Sequence, residues 1–382
     1  MKQIRIGLVG FGFMGKTHLF AVRNLPFFCH ADAAAGGLDF SAEVVAVTAS
    51  SLASAQRAAA TYGILRAVAS ADELIADPEI DVIDICSPNP CHFAVAKAAL
   101  EAGKAVLCEK PLTVTANEAA VLDTLARERG LTAGMVFNNR FLAPVLRARR
   151  LIEEGRLGRI LSFDFAYRHN SCIDPNRRAG WKQDADFGGG TLADLGPHVI
   201  DLCRYLCGDL VWLYGREQIA FPTHLAADGS LWETNADEAF YLTGGTRDGA
   251  MGTITVSKLT QGANDELTFS VYGETGSLSF SLMDPNFLQF YDATAPGAPI
   301  GGTRGYTRIE CVGRYPLPAS GFPTVKAPQG WLRGHIGCMA NFLSAVAEER
   351  PCEPSFADGL YVQRVLTAAY ESNDIGREVA LC

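Results

Sequence analysis

Long apolar runs and an excess of positive charge are both missing from this sequence. No uninterrupted apolar segment reaches the ~18 residues that a membrane-spanning helix requires. The 382 residues carry a formal net charge of −9, whereas a nucleic-acid-binding face needs clustered Lys and Arg to bind phosphates. We therefore expect neither a membrane nor a nucleic acid as a partner.

Paired cysteine motifs are also missing. The 11 cysteines form no C-x-x-C pair, and several lie in apolar stretches, where a free thiol behaves as a small hydrophobe. His and Cys residues show no metal-ligand spacing, so no metal is predicted. The first residues, MKQIRIGLVG, predict a strand rather than a signal peptide. These features together predict a reduced, cytoplasmic protein.

The first third of the chain predicts a doubly wound α/β domain. Strand-like runs rich in Val and Ile alternate with alanine-rich helical stretches, which is typical of a parallel Rossmann sheet. The runs are Ile4–Val9, Glu43–Ala49, Asp81–Ser87 and Ala105–Lys110. Leu25–Ala42 interrupts the rhythm and is predicted to be an inserted loop. Because the length exceeds what one core usually serves, we predict a dinucleotide-binding domain over residues 1–137 and a second domain over 138–382.

The second domain predicts an α+β fold with a large, mostly antiparallel open sheet. Alternating strands are split by Gly-rich turns, and YGETGSLSF is typical of a hairpin. An open sheet with one helix-free face must be covered, which predicts an oligomer. The other predicted elements are helix Pro144–Glu154, strand Gly158–Arg168, an irregular loop at Pro296–Pro328, and helices Gly334–Glu349 and Phe356–Glu371.

The motif GFGFMG directly follows the first strand and opens a helix. In this context G-x-G-x-x-G indicates dinucleotide binding, because the glycines allow a tight turn and a close backbone approach to the pyrophosphate. The residues expected at the cofactor are Gly10, Gly12, Phe13, Met14 and Gly15. A glycine turn without a ligand is the alternative.

The second strand ends without the carboxylate that normally binds the adenosine ribose. Its last residues are VTASS, so Ser50 and Ser51 stand where an acid would repel a 2′-phosphate. This favours NADP over NAD, or use of both. Arg57 lies a helical turn or more away, and a solvated helix charge is the alternative interpretation for it.

Two further stretches carry groups suited to acid–base chemistry. In CEKP, Pro111 forces Lys110 out of helical geometry at the end of a parallel strand, where ligands collect. In GGGTLADLGPHVIDL, a leucine stripe predicts a core helix, and Asp194 and His198 lie four residues apart beside it. Pro197 separates them, so a helix beginning at Pro197 would turn Asp194 elsewhere. A surface lysine and a surface ion pair are the alternatives.

In order and spacing, GFGFMGKTH, SPNPCH, AGKAVLCEKP and GGGTLADLGPHVIDL resemble the motifs of the glucose-fructose oxidoreductase / inositol dehydrogenase (Gfo/Idh/MocA) family. The resemblance implies a Rossmann domain followed by an α/β domain with a mostly antiparallel sheet. It also implies hydride transfer between a nicotinamide cofactor and a carbohydrate or cyclitol hydroxyl or ketone. By the same resemblance, the catalytic residues are Lys110, His198 and Asp194, and the cofactor is lined by Ser87, Asn89, His92 and Glu109.

Imidazole titrates near neutrality and suits a general acid/base, while the ammonium of Lys110 would stabilise developing alkoxide charge. Planar donors and an aromatic ring suit sugar recognition, which makes Asn138, Arg168, Trp181 and Lys182 the substrate-binding candidates. Two other functions stay open. One is a redox-neutral glycoside cleavage or epimerisation with tightly bound NAD(P), and the other is a non-catalytic dinucleotide sensor.

Overall fold

The computed structural model describes residues 2–30, 36–174, 178–226 and 228–381. These residues form two compact units. Unit 1 comprises Met1–Phe141, Gly313–Ala327 and Trp331–Gln363, and unit 2 comprises Leu142–Val312, Pro328–Gly330 and Arg364–Cys382. Within the described ranges, no helix combines the length and apolarity needed to cross a bilayer.

Unit 1 is built on a parallel sheet whose strands follow the order β3-β2-β1-β4-β5-β6. This is the doubly wound Rossmann order, in which ligands bind at the carboxyl ends of the strands, where the order reverses between β1 and β4. The predicted Rossmann sheet is confirmed. Its elements are β1 (Lys2–Val9), α1 (Phe13–Phe28), β2 (Phe40–Thr48), α2 (Leu52–Tyr62), β3 (Arg66–Ala67), α3 (Ala71–Ala76), β4 (Val82–Ile85), α4 (His92–Glu101), β5 (Ala105–Cys108), α5 (Ala116–Arg129) and β6 (Ala133–Met135).

A helix from late in the chain also belongs to unit 1. Helix α8 (Trp331–Ala347) buries four apolar side chains in the same core as β1 and α1, namely Ile336, Met339, Phe342 and Leu343. This differs from the predicted division at residue 138, which assigned the whole C-terminal part to a second domain. The apolar face of the helix contributes to the Rossmann core, and sequence order alone does not reveal that.

Unit 2 is built on one large sheet with the order β16-β15-β14-β13-β7-β12-β11-β8-β17. The pair β7 and β12 is parallel, and the other neighbours are antiparallel, which confirms the mostly antiparallel prediction. The remaining elements of the chain are α6 (Ala143–Glu153), β7 (Ile160–Arg168), α7 (Thr191–Cys207), β8 (Leu210–Gln218), β9 (Thr223–Leu225), β10 (Leu231–Glu233), β11 (Ala239–Thr246), β12 (Met251–Ser257), β13 (Glu266–Gly273), β14 (Gly276–Ser281), β15 (Phe287–Asp292), β16 (Tyr306–Glu310), α8 (Trp331–Ala347), α9 (Phe356–Ile375) and β17 (Val379–Ala380).

Helix α7 packs on β7, β11 and β12 through its leucine stripe, which is fully buried. The predicted hairpin is present, since β13 and β14 pair antiparallel from Thr268–Ser281 to Tyr272–Ser277. Alternate residues of the strands point away from the core, and large side chains among them are exposed, including Tyr214, Tyr241, Met251 and Tyr272.

Two predicted loops need correction. The loop at Leu25–Ala42 is shorter than expected, because α1 continues to Phe28 through Pro26 and β2 already begins at Phe40. Burial of Leu25 and Phe40 outweighs the hydrogen bond that Pro26 removes. Residues 31–35 of that segment lie outside the described ranges. The loop at Pro296–Pro328 contains β16, which pairs antiparallel with β15 at the sheet edge.

Candidate active site

The turn after β1 depends on glycines. Gly10 has a φ of +94°, and a Cβ there would lie 2.7 Å from the carbonyl oxygen of Cys86. A Cβ on Gly15 would collide with the carbonyl oxygen of Gly10. At Gly12, in contrast, no described heavy atom lies within 4 Å of the Cβ position. Helix α1 begins after Gly12 with neither a side-chain cap nor an acidic residue in its described first turn. This bare, uncapped helix start fits a dinucleotide pyrophosphate.

The end of β2 carries serines and an arginine. Ser51 caps α2, because its Oγ accepts a hydrogen bond from Ser54 N at 3.2 Å. Arg57 Nη2 donates to Ser54 Oγ at 2.9 Å, and Ser51 Oγ lies 3.1 Å from the same oxygen. Helix α2 thus connects Arg57 to Ser51 through the hydroxyl of Ser54. Ser50 is exposed beside them.

The loops after β4 and β5 are joined by one imidazole. His92 is 1% exposed; its Nδ1 lies 2.8 Å from the carbonyl oxygen of Pro111, and its Nε2 lies 2.9 Å from that of Ser87. Burial lowers the pKa of His92 despite these two acceptors. Its role in the structure is therefore to fix the loop that carries Ser87 and Asn89 against the turn after Lys110.

His18 lies between two carboxylates in the core of unit 1. Its Nδ1 is 2.9 Å from both oxygens of Asp84, and its Nε2 is 3.1 Å from Glu109 Oε1. The other oxygen of Glu109 accepts a hydrogen bond from the backbone N–H of Lys110 at 3.1 Å. Sequence reasoning found no partner pattern for His18, because its partners are 66 and 91 residues away along the chain.

The charges in this cluster reinforce each other. Burial alone would lower the pKa of His18, but the carboxylate of Asp84 raises it well above the usual 6.5. Burial alone would raise the pKa of Glu109, but the hydrogen bond and charge of His18 lower it from 4.5 to about 2. The cluster is a buried cation between two anions.

The same cluster includes the described group that best matches a metal site. Ligand atoms of His18, Asp84 and Cys86 lie within 4.8 Å of one another. Their distances are those of hydrogen bonds, with Cys86 Sγ 3.2 Å from His18 Nδ1. Burial raises the pKa of Cys86 to about 12, so the side chain is a thiol in this network. We therefore treat the group as a hydrogen-bond network.

Aromatic side chains lie beside the glycine loop. Phe13 is 72% exposed, and its ring is 5.7 Å from that of Trp331, with an angle of 25° between the planes. Trp331 in turn contacts the buried His335 ring at 4.2 Å. The motif predicted Phe13, but Trp331 was missed because it is 318 positions further along a helix with no recognisable motif.

The glycines before α7 are required by the packing of its first turn. Gly190 has a φ of +111°, and a Cβ there would collide with Asp237 Oδ1. Asp237 Oδ2 accepts a hydrogen bond from Leu192 N at 2.7 Å, and its Oδ1 accepts one from the hydroxyl of Tyr370 at 2.8 Å. Burial raises the pKa of Asp237 to about 6. Asp237 therefore serves as a cap delivered from a distant loop.

Helix α7 is continuous through Pro197. It begins at Thr191, so Asp194 and His198 both lie within it, one turn apart on the same face. Pro197 lacks the N–H that would donate to the carbonyl of Ala193, so the helix loses that one hydrogen bond. The expected i, i+4 relation of the acid and the imidazole is therefore present, and both side chains are half-buried.

Asp194 contacts two lysines. Its Oδ2 lies 2.7 Å from Lys258 Nζ and 2.9 Å from Lys182 Nζ. The Lys258 side chain is 6% exposed, whereas that of Lys182 is 37% exposed. Lys182 was predicted as a substrate residue, and Lys258 was missed. The signal available for Lys258 was its position at the end of strand β12, which parallels that of Lys110 after β5.

A second polar group borders His198. The Tyr167 ring lies 5.7 Å from the His198 ring, edge to face, and its hydroxyl donates to Asp265 Oδ1 at 2.5 Å. His169 Nε2 lies 3.0 Å from the same oxygen. Burial raises the pKa of Tyr167 well above its usual value. The hydrogen bonds from His169 and Tyr167 overcome burial and lower the pKa of Asp265.

The other substrate candidates divide between the units. Asn138 belongs to unit 1 and is 1% exposed. In unit 2, Arg168 lies 3.7 Å from Glu266, and Trp181 is partly exposed, with its ring 5.6 Å from Lys182 Nζ. Unit 2 therefore brings together Trp181, Lys182 and Asp194.

Two family models match the chain. One, described as "Oxidoreductase family, NAD-binding Rossmann fold", matches residues 4–137. The other is the Gfo/Idh/MocA C-terminal domain and matches residues 145–279. The matched ranges contain Lys110, Asp194 and His198.

Relatives resemble the chain over nearly its whole length. Levoglucosan dehydrogenase of Pseudarthrobacter phenanthrenivorans is 32% identical over 97% of this chain and 96% of that protein. Glucose-6-phosphate 3-dehydrogenase of Bacillus subtilis is 26% identical over 97% and 96%. The solved structure of levoglucosan dehydrogenase in complex with NADH and levoglucosan matches with a TM-score of 0.93 at 28% identity, covering 100% of both chains. The structural neighbour is thus a sugar dehydrogenase with a bound nicotinamide cofactor.

Proposed function

Because the chain belongs to the Gfo/Idh/MocA family of oxidoreductases, with its NAD-binding Rossmann fold, we propose that it is an NAD(P)-dependent dehydrogenase or reductase of a neutral monosaccharide. The observation that carries the proposal is the unbroken helix α7, which keeps Asp194 and His198 one turn apart. The greater identity to levoglucosan dehydrogenase than to the sugar-phosphate enzyme supports an unphosphorylated substrate.

Each of the three catalytic candidates has a distinct role in this proposal. His198 takes the proton of the substrate hydroxyl at a ring nitrogen and returns it in the reverse direction. Asp194 orients His198 and favours its protonated form, while Lys110 donates a hydrogen bond to the reacting oxygen and stabilises its negative charge. The nicotinamide supplies or accepts the hydride when it is bound. Glu109 lies beside the backbone of Lys110 and is assigned to the cofactor side.

Turnover with a panel of sugars tests the proposal. Purified protein is mixed with NAD or NADP and levoglucosan, glucose, glucose 6-phosphate or a cyclitol, and nicotinamide absorbance is followed. We expect oxidation of a neutral sugar, with a ~10²–10⁴-fold fall in kcat for His198→Ala and Lys110→Ala. His30→Gln, an exposed histidine, serves as the matched control. Full activity of His198→Ala would overturn the mechanism. Cofactor that survives dialysis without net reduction would instead support a redox-neutral reaction.

The proposal extends to the choice of cofactor. Arg57, held by Ser54 beside Ser51, supports binding of a 2′-phosphate, so NADP is expected to be used at least as well as NAD. Arg57→Ala should raise the KM for NADP about tenfold and leave that for NAD unchanged, since one charge-assisted contact is lost. Arg23→Ala is the control, because that side chain binds the carbonyl of Gly63 instead. Equal effects on both cofactors would contradict this assignment.

The exposed large side chains on the unit 2 sheet support a homodimer or homotetramer. Light scattering after size exclusion measures the mass directly. Tyr241→Glu should lower the measured mass if this sheet face is covered by another copy, and a monomeric wild-type protein would contradict the proposal.

A further inference from the structure

The buried imidazole of His18 is not used by the proposed chemistry. It is 1% exposed, and each of its ring nitrogens lies within hydrogen-bond distance of a carboxylate oxygen, on Asp84 at one end and on Glu109 at the other. A neutral imidazole has only one N–H, so its second nitrogen would direct a lone pair at an anion. Two carboxylates at these distances therefore favour the doubly protonated ring.

The groups around His18 come from several elements of unit 1. Two carboxylates and a positively charged imidazole leave these three side chains with one net negative charge. The titratable and charged groups that face the cluster are Asp84 and Cys86 on and after β4, Cys108, Glu109 and Lys110 at the end of β5, and His335 and Cys338 on α8.

Glu109 is held at both oxygens. Its Oε1 is bound by His18 at 3.1 Å, and its Oε2 accepts the backbone N–H of Lys110 at 3.1 Å. Each carboxylate oxygen has a second lone pair, so the group retains capacity for a further donor. The carboxylate cannot rotate without losing one of these bonds. His18 therefore fixes the orientation of the Glu109 carboxylate and, through it, the position of the Lys110 backbone N–H.

We propose that His18 is a positioning residue that, as a protonated bridge between Asp84 and Glu109, fixes Glu109 to accept a hydrogen bond from a hydroxyl or amide of the nicotinamide nucleoside. This rests on the proposed function, in that Glu109 faces the bound cofactor. His18 itself does not touch the cofactor. It acts through Glu109, in the way that residues behind a binding site hold the ligand-contacting side chains in their orientation.

Equilibrium binding of NADH and NADPH to the full chain tests the proposal without any substrate. Fluorescence titrations are compared for wild type, His18→Gln, Glu109→Gln and the double variant, with His30→Gln as control and circular dichroism to verify folding. We expect each single variant to weaken binding about tenfold and the double variant to bind like either single one, because both changes remove the same contact.

A pH series separates positioning from a merely structural role. Wild-type affinity should fall at alkaline pH as His18 loses its second proton, while both single variants should lack this fall. Multiplicative effects in the double variant, or the same alkaline fall in folded His18→Gln, would overturn the inference. If His18→Gln does not fold, the pH profile of Glu109→Gln decides alone, and an unchanged alkaline fall there overturns it.

The outcomes distinguish this inference from the proposed function. Wild-type protein that binds neither NADH nor NADPH contradicts the proposed function. Wild-type protein that binds them, with independent effects of the two substitutions, contradicts the positioning role alone. Coupled binding effects without turnover of any sugar support the role of His18 and contradict the proposed substrate class.

Discussion

The two units contain inverse charge arrangements. In unit 1, one cation, His18, lies between the carboxylates of Asp84 and Glu109, while in unit 2 one anion, Asp194, lies between the ammonium groups of Lys182 and Lys258. The distances are similar, from 2.7 to 3.1 Å. The difference is access to water. The side chains of His18 and Asp84 are each 1% exposed, whereas those of Asp194 and Lys182 are 21% and 37% exposed.

Exposure decides what each arrangement can do. Charges buried without water are costly to unpair, so the unit 1 cluster keeps one geometry and positions its neighbours. Around Asp194, water can compete with the partly exposed ammonium of Lys182 for the carboxylate at low cost. The comparison assigns a fixed geometry to the unit 1 cluster and easier exchange of partners to the unit 2 cluster.

Neutralising the buried acid should produce the largest effect on stability. Asp84→Asn leaves the protonated His18 with only one of its two carboxylate partners, that of Glu109. We expect a loss of about 3–5 kcal/mol in the free energy of unfolding. Urea unfolding measures it. Asp284→Asn, which breaks an ion pair to Arg308 with both side chains about half exposed, is the control and should cost less than about 1 kcal/mol. Equal losses of unfolding free energy in the two variants would contradict the expectation that a buried charge is more costly to unpair than an exposed one.

Neutralising the partly open acid should affect turnover more than stability. Asp194→Asn removes the charge one turn from His198, and we expect kcat to fall about a hundredfold, while the free energy of unfolding falls by only about 1–2 kcal/mol. Steady-state kinetics and urea unfolding are measured together. Asp186→Asn, on the exposed turn before α7, is the control. A stability loss as large as that of Asp84→Asn would show that exposure does not separate the two clusters.

The unit 1 cluster should also make stability depend on pH with a defined sign. The raised pKa of His18 contributes stability that is complete below pH 6.5 and is lost as pH rises through its folded pKa. The lowered pKa of Glu109 contributes stability that is complete above pH 4.5 and is lost as pH falls toward about 2. Both contributions are complete between these values.

The loss of unfolding free energy in His18→Gln should therefore be greatest between pH 4.5 and 6.5 and should shrink at alkaline pH. Urea unfolding across pH, with His30→Gln as the control, measures this slope. A loss that is constant with pH would show that His18 is not charged in the folded protein.

The two lysines on Asp194 should give the smallest effects, and in a fixed order. Lys182→Met removes the more exposed ammonium, so we expect a change in unfolding free energy within about 0.5 kcal/mol and a rise of a few fold in the sugar KM. Lys258→Met should cost more in both measurements, because its side chain is buried. The reverse order would indicate that Lys182, not Lys258, determines the position of Asp194.

What the sequence could predict was local or carried by a motif. The glycine turn, the strand that precedes it and the Asp194–His198 spacing each depend on a few neighbouring residues. His18, Asp84 and Glu109 meet only because parallel strands β4 and β5 end at the same edge beside α1. Lys258 reaches Asp194 because helix α7 packs on β12. Such pairings depend on sheet register, and one sequence does not specify which strands become neighbours.

Pro197 and Asp237 show that the local sequence alone does not determine where helix α7 begins. A proline between the acid and the imidazole favours a helix that begins at Pro197, since local preference disfavours proline inside a helix. The helix nevertheless begins six residues earlier, at Thr191, because the distant Asp237 binds its first N–H groups. Tertiary capping overrode the local signal.

The ring nitrogens of His92 lie within hydrogen-bond distance of the carbonyls of Pro111 and Ser87, and this has a consequence for how the molecule tolerates change. The rigid ring keeps a fixed distance between the loops after β4 and β5. A displacement of the Ser87 loop is therefore transmitted to Pro111 and on to the adjoining Lys110. The substitutions tolerated in the loop after β4 are thus limited by the geometry of the loop after β5.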